Sequence, residues 1–277
     1  MRRALGYAGV AAAWLLACGT SGPPRATARA PAVAAGAPSV ATERPPLPAA
    51  APSPSAATPP PPKPRRPGSY ANVDPDDDFV VGPPDPIDDC EAALGKAGVK
   101  FQRATLPVHT PKGSSFACGA PQVVTYLKGP GDITYGAPPL LTCAMALALA
   151  SFEKIVQEEA ASVLRSRVAR VNHIGTYVCR EMAAYKGWVS EHSYANAIDL
   201  ASFVLADGRT VDVLRDFDAG ADEPKKPAAL FLRKVSRRAN DEDVFSHVLT
   251  PFFDALHKNH FHLDLARYRT DGTRPQS

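Results

Sequence analysis

From about Pro86 onward, apolar and polar residues follow two rhythms, and the elements of a folded domain can be read from them. Asp88-Asp89-Cys90-Glu91, running into Ala-Ala-Leu-Gly-Lys-Ala-Gly, predicts a short helix with an Asp N-cap and Gly98 as its stop. Val99 to Leu106 and Gln122 to Leu127 are predicted strands. Leu140 to about Val171 is the longest helical pattern, free of Gly and Pro, with Phe152, Ile155 and Val156 on its core-facing stripe. Val168 to Tyr177 is predicted to be extended and to deliver Cys179 and Arg180 to its far end. Ile198 to Leu205 and Thr210 to Leu214, joined through Asp207-Gly208, predict a β-hairpin. Lys226 to Ala239 and Asp243 to His257 read as two helices, the second interrupted by Pro251. In the final strand Phe261, Leu263 and Leu265 alternate with His260, His262 and Asp264 at period two, so one face is apolar and the other polar. The expected fold is α+β, a small mostly antiparallel sheet with flanking helices.

The chain before Pro86 has a different character. Met1-Arg2-Arg3 is basic, and Ala4 to Ala17 is small and apolar, which is the make-up of a secretory signal too short to span a bilayer. Leu15-Leu16-Ala17-Cys18 resembles a bacterial lipobox, in which the cysteine becomes the lipidated first residue. Cys18 is then the membrane anchor. An ordinary signal peptide cut nearby, giving a soluble periplasmic or secreted protein, is the alternative. From Thr20 to Pro67 the chain is Pro, Ala, Ser and Thr with almost no large apolar residue, so it cannot bury enough surface to offset the entropy of ordering. As extended polyproline it reaches on the order of 100 Å or more. The organisation expected is a signal at 1–18, a linker at 19–85, a folded domain at 86–269 and a flexible tail at 270–277.

Net charge is only +3, part of it in the leader and linker. No folded segment interleaves basic and aromatic residues, so nucleic acid is not an expected partner. Apart from Cys18 there are four cysteines, Cys90, Cys118, Cys143 and Cys179. An even number in an exported domain points to two disulfides, with three possible pairings. Proximity along the chain favours Cys90–Cys118 and Cys143–Cys179. A cysteine-rich zinc site is disfavoured because no Cys-x-x-Cys spacing occurs.

Candidate chemistry concentrates in two segments, Ser190 to Asp199 and His257 to His262, which together hold four of the chain's seven histidines. Asp199 lies near the start of an otherwise apolar strand, where an ionised side chain is costly without a partner. A His seven residues earlier and a His-x-His strand elsewhere supply the donors that a divalent transition metal takes, and zinc is the first expectation. Three histidines and a carboxylate scattered as ordinary core or surface residues, in a disulfide-stapled domain without metal, is the competing reading. It requires the donor atoms to lie apart.

Ser190-x-His192-x-x-Ala195-x-Ala197-x-Asp199 resembles the Ser-x-His-x-x-Gly-x-Ala-x-Asp motif of the zinc metallopeptidases grouped with D-alanyl-D-alanine carboxypeptidases, lysostaphin-type enzymes and the hedgehog signalling domain, departing from it at Ala195. More closely, Cys143-Ala-Met-Ala-Leu-Ala, Tyr177-Val-Cys-Arg180, Ser190-Glu-His192, Asn196-Ala-Ile-Asp199, Leu205-Ala-Asp-Gly-Arg209 and His260-Phe-His-Leu-Asp-Leu265 are similar to the bacterial extensin-like C-terminal domain. That resemblance covers about Cys90 to Ala266. Carried over by position, it implies one Zn2+ held by His192, Asp199 and His262, with a fourth position open as in catalytic zinc sites. It implies His260 as general base, and His257, from the His-x-x-His-x-His spacing of murein endopeptidases, as its support. Arg180 is implied as a binder of substrate carboxylate, and Glu191 is a weaker catalytic candidate. The implied activity is hydrolysis of peptide bonds in peptidoglycan stem peptides, of D,D-carboxypeptidase or endopeptidase type, by an envelope-tethered enzyme. A non-catalytic zinc-containing module that binds peptidoglycan or an envelope protein is the alternative.

Overall fold

In a computed structural model of the protein the described residues are 82–183, 188–221 and 223–275. The leader, Cys18 and the linker up to residue 81 lie outside them. Helix α1 (Cys90–Lys96) is followed by β1 (Lys100–His109), β2 (Cys118–Lys128), β3 (Thr134–Tyr135), β4 (Leu140–Thr142), α2 (Cys143–Glu159), β5 (Val168–Gly175), β6 (Ala197–Leu205), β7 (Thr210–Asp212), α3 (Val213–Asp216), α4 (Pro227–Asp241), β8 (His247–Leu249), β9 (Phe261–Asp264) and β10 (Thr270–Gly272). Among the described residues these strands form two sheets. The smaller has the order β1-β2-β4, and the larger the order β10-β8-β9-β6-β5-β3, with β7 also pairing with β6. Pairing is antiparallel except for β3 with β5 and β8 with β10. The fold is therefore α+β with mostly antiparallel sheets, as the patterns imply.

Several boundaries follow directly from local chemistry. Gly98 ends the α1 region at φ +77°, and Gly208 closes the β6–β7 hairpin at φ +88°, both in the left-handed region that favours glycine. Asp89 stands at the N-cap of α1, but its own φ is 49° and its side chain makes no capping bond. Thr142 caps α2 instead, its hydroxyl accepting from the Met145 N–H.

Three expectations are corrected. The pattern from Leu140 to Val171 divides into β4, α2, a π-helical turn over residues 160–164 and β5. The Gln157 side chain marks the break: its amide donates to the carbonyls of Gly131 and Val168 and accepts from the Val168 N–H, so the chain turns and pairs as a strand. The segment 243–257 is not a helix either. His247, Val248 and Leu249 are drawn into the sheet between β9 and β10, where cross-strand pairing overrides a mixed helical rhythm already broken by Pro251. Residues 270–275, expected as a tail, supply β10, and Thr273 is fully buried.

The disulfide pairing also differs from Cys90–Cys118 and Cys143–Cys179. The bridges are Cys90–Cys143 and Cys118–Cys179, with Cα–Cα separations of 6.0 and 5.6 Å. Distance along the chain is a poor guide because loop-closure entropy grows only logarithmically with length. The first bridge joins the first residues of α1 and α2. The second ties the start of β2 to the segment that follows β5.

Behind the larger sheet, Phe203 packs edge to face with Phe231 and Phe217 with Phe261, and Phe203 lies tilted against Phe261. Buried Arg233 of α4 lies 4.2 Å from the Phe252 ring centroid and donates to the carbonyls of Asp218 and Ala221. Helix α4 thereby holds both the loop after α3 and the chain that approaches His257.

Peptide mapping of the unreduced protein should find Cys90 joined to Cys143 and Cys118 to Cys179; a Cys90–Cys118 peptide would contradict this arrangement. Replacing Cys90 and Cys143 together by Ser should lower unfolding free energy by about 4 kcal/mol at most, the chain-entropy value for a loop of this length, read from denaturant titration.

Candidate metal centre

The site is built from sheet register. Asp199 on β6 faces His262 on β9 as a direct cross-strand pair, and Gly175 is its partner on β5. Ile198, Leu200, Phe261 and Leu263, one residue to either side, are fully buried in the core. Period-two alternation therefore turns Asp199 and His262 onto the opposite face.

His192 arrives from outside the sheet. Residues 191–194 form a 3-10 turn, ended by Ala195 at φ 54° and ψ 30°. The turn is stitched to the segment after β5: His192 O accepts from Val178 N–H, Ser193 Oγ accepts from Arg180 N–H, and Ser193 Oγ donates to Arg180 O. His192 Nδ1 lies 3.2 Å from the Thr176 carbonyl oxygen. A carbonyl only accepts, so Nδ1 carries the proton and Nε2 is left with a free lone pair.

That lone pair meets the strand residues. His192 Nε2 is 3.2 Å from Asp199 Oδ1 and 3.2 Å from His262 Nδ1, and His262 Nδ1 is 3.0 Å from Asp199 Oδ1. Donors bonded at about 2.0–2.1 Å to a tetrahedral zinc stand roughly 3.3–3.4 Å apart, so the triangle fits an ion after a shift of a few tenths of an ångström. The three donor atoms do not lie apart, as the competing reading required. His262 Nε2 is committed elsewhere, donating to Asp264 Oδ2 at 2.8 Å. Two nitrogens and an ionised oxygen at these distances call for positive charge among them. Burial opposes charge on His262, yet Asp199 and Asp264 override it and push its pKa up to about 10. Burial likewise opposes charge on Asp199, and the two histidines overcome it and hold the carboxyl far below its usual range.

A family model described as extensin-like protein C-terminus matches residues 88–274. The chain belongs to the extensin-like C-terminal family. No curated protein and no solved structure matches it.

Of the other residues singled out in the extensin-like domain, His260 is brought to the site and Arg180 is not. His260 Nε2 stands 3.5 Å from Asp199 Oδ1, too far for a hydrogen bond of consequence. Its Nδ1 donates to Asn259 Oδ1 at 2.9 Å, leaving Nε2 bare. His257 stacks against His260 and His262, at 5.3 and 5.8 Å between ring centroids, and is oriented by Asp254 Oδ1 at 2.7 Å. Burial lowers the pKa of both His257 and His260, so both rings are neutral near pH 7. Arg180 is exposed, and its guanidinium donates to the Glu181 carbonyl rather than toward the cluster. Only its backbone supports the turn that carries His192.

Ala195 occupies the left-handed position at which the motif's glycine would be free of strain. The left-handed conformation costs an alanine roughly 1–2 kcal/mol. Against this, the buried methyl contributes about 0.8 kcal/mol, packed beside Ala120 and Val123. The methyl offsets part of the strain, and the turn still delivers His192.

Residues that sequence reasoning placed low or missed surround this cluster. Asp264 shares the polar face of β9 with His262 by simple alternation, a signal available in the sequence. Glu191 accepts from Asn196 Nδ2 at 2.7 Å, and Asn196 also accepts from Thr142 Oγ1 and donates to Leu265 O. Asn196 thus links the helix cap, the His192 turn and the end of β9. Burial, reinforced by the neighbouring Asp264 charge, pushes the Glu191 pKa from its ordinary 4.5 up to about 7.

Between pH 4.5 and 7 the folded domain retains a proton on Glu191 that the unfolded chain has lost, so this group's contribution to stability falls as pH rises through that window. Glu191→Gln removes the effect. The variant should gain on the order of 1–3 kcal/mol over wild type at pH 8 and nothing at pH 4, measured by denaturant titration; equal stability at both pH values would show that Glu191 ionises freely.

Proposed function

We propose that this domain is a zinc-dependent hydrolase of peptide bonds in peptidoglycan stem peptides, of the D,D-carboxypeptidase or endopeptidase type, related to the zinc metallopeptidase and hedgehog group. The observation that carries the reading is the convergence of His192 Nε2, Asp199 Oδ1 and His262 Nδ1, all within 3.2 Å of one another, beside a fourth group, His260, whose Nε2 is free. A purely structural metal has no use for a neutral imidazole held next to it with its lone pair unspent. When bound, zinc supplies Lewis acidity, polarising a scissile carbonyl and lowering the pKa of water.

The chain's own residues divide the remaining work. His192, Asp199 and His262 are the ligands. His260, kept neutral by burial and oriented through Nδ1 by Asn259, accepts a proton at Nε2 and returns it to the leaving amine. His257, itself fixed by Asp254, packs on His260 and limits the ring to that orientation. We further propose that the protein is exported and lipid-anchored through Cys18 facing the periplasm, with the Pro-rich linker holding the domain off the membrane; a soluble periplasmic or secreted form is the alternative.

Arg180 favours a second reading. Its guanidinium donates to the neighbouring Glu181 carbonyl, and among the described contacts none joins it to the metal ligands, so this arrangement does not display the expected clamp on a substrate carboxylate. A zinc-containing module that binds peptidoglycan or an envelope protein without cutting needs no such clamp.

Metal analysis of the purified domain, with peptidoglycan digestion on the same samples, separates these readings. The hydrolase reading expects one zinc per wild-type chain and per His260→Ala chain, no zinc with His262→Ala, and cleavage reduced by His260→Ala by about 10²–10⁴-fold. Zinc without new peptide ends from any substrate favours the binding module, and absence of zinc from the wild type sinks both.

A further inference from the structure

We propose that His247 is a positioning residue of the metal centre, acting through Asp264 to fix which nitrogen of His262 faces the metal. The inference rests on the metal-site reading above and adds a residue outside every motif that led to it.

An imidazole can present either ring nitrogen to a metal, and the choice is set by the bond that the other nitrogen makes. Here His262 Nε2 donates to Asp264 Oδ2 at 2.8 Å, leaving Nδ1 to face Asp199 and His192. The orientation of His262 is therefore only as good as the orientation of Asp264. Asp264 is 1% exposed, and its position depends on protein donors. Oδ1 accepts from the Ala266 N–H at 2.9 Å. Oδ2 is shared between His262 Nε2 and His247 Nδ1, the latter at 3.1 Å.

The sheet makes this arrangement possible. His247 on β8 is the direct cross-strand partner of Asp264 on β9, as Asp199 on β6 is of His262. Two adjacent cross-strand pairs on one face thus produce a line of side chains, His247, Asp264, His262 and Asp199. His247 is itself 5% exposed, and the Tyr268 ring packs against it at 4.7 Å between centroids. Its Nε2 is buried without a hydrogen-bond partner among the described residues. A carboxylate oxygen only accepts, so the 3.1 Å contact is a hydrogen bond that His247 donates from Nδ1 to Asp264 Oδ2. His247 thereby fixes the carboxylate that receives the His262 Nε2–H, and a carboxylate so held makes the ligand ring a stronger donor to a metal.

Zinc affinity measured by chelator competition on the whole domain tests this, using wild type, His247→Phe and His247→Asn. His247→Phe should weaken zinc binding by about 10–100-fold while the circular dichroism spectrum is retained. His247→Asn, whose side-chain amide can take the place of Nδ1–H, should recover most of the loss. Wild-type affinity in His247→Phe overturns the inference and leaves the metal site standing, whereas no zinc binding by wild type overturns the metal-site reading itself. Should His247→Phe fail to fold, nitrogen NMR of the zinc-loaded wild type decides: Nδ1 of His262 bound to metal and Nε2 protonated is the expected result, and the reverse assignment overturns it.

Discussion

An ionised carboxylate inside an antiparallel sheet is the constraint on which the rest of this structure depends. Asp199 sits between fully buried Ile198 and Leu200, where an unpaired charge would cost several kcal/mol. Its partners come from two separate parts of the chain. His262 is supplied by sheet register and His192 by the turn after residue 190. Each partner is in turn held through its other ring nitrogen, His262 by Asp264 and His192 by the Thr176 carbonyl.

Sheet register gives this assembly its accuracy. A slip of β9 by one residue would exchange His262 for Phe261 or Leu263 at the site and carry a histidine into the core. Phe261 prevents that slip by packing with Phe203 and Phe217 on the far side of the strand. Removing a buried phenylalanine of this kind typically costs about 3–5 kcal/mol. The Cys118–Cys179 bridge serves His192, because the segment it anchors supplies the backbone to which the His192 turn is hydrogen-bonded.

Much of this could be read before any coordinates. The alternation around Phe261, the apolar run around Asp199 and the Asp207-Gly208 turn each encode a strand and a face locally, and together they name the donors that converge. What could not be read depends on neighbours distant in sequence. His247 was hidden because the segment 243–257 has a helical rhythm when taken alone, and only the edges of β9 and β10 make Val248 and Leu249 a strand. The disulfide pairing was misjudged for the same reason, since the packing of α1 on α2, not chain distance, sets Cys90 beside Cys143. Arg180 shows a different limit: its place in the chain is legible, but the direction of a long exposed side chain is not.

The electrostatics of the cluster also bear on how a metal would be taken up. Without an ion, His262 holds a proton with a pKa of about 10, so near pH 7 a cation must displace that proton from Nδ1. Displacement over three pH units costs about 4 kcal/mol. Asp199 faces both that proton and the position an ion would take, so proton and ion would compete for one carboxylate. Metal affinity would then rise with pH until that proton is lost, and with the ion absent the proton would remain as counter-charge to Asp199.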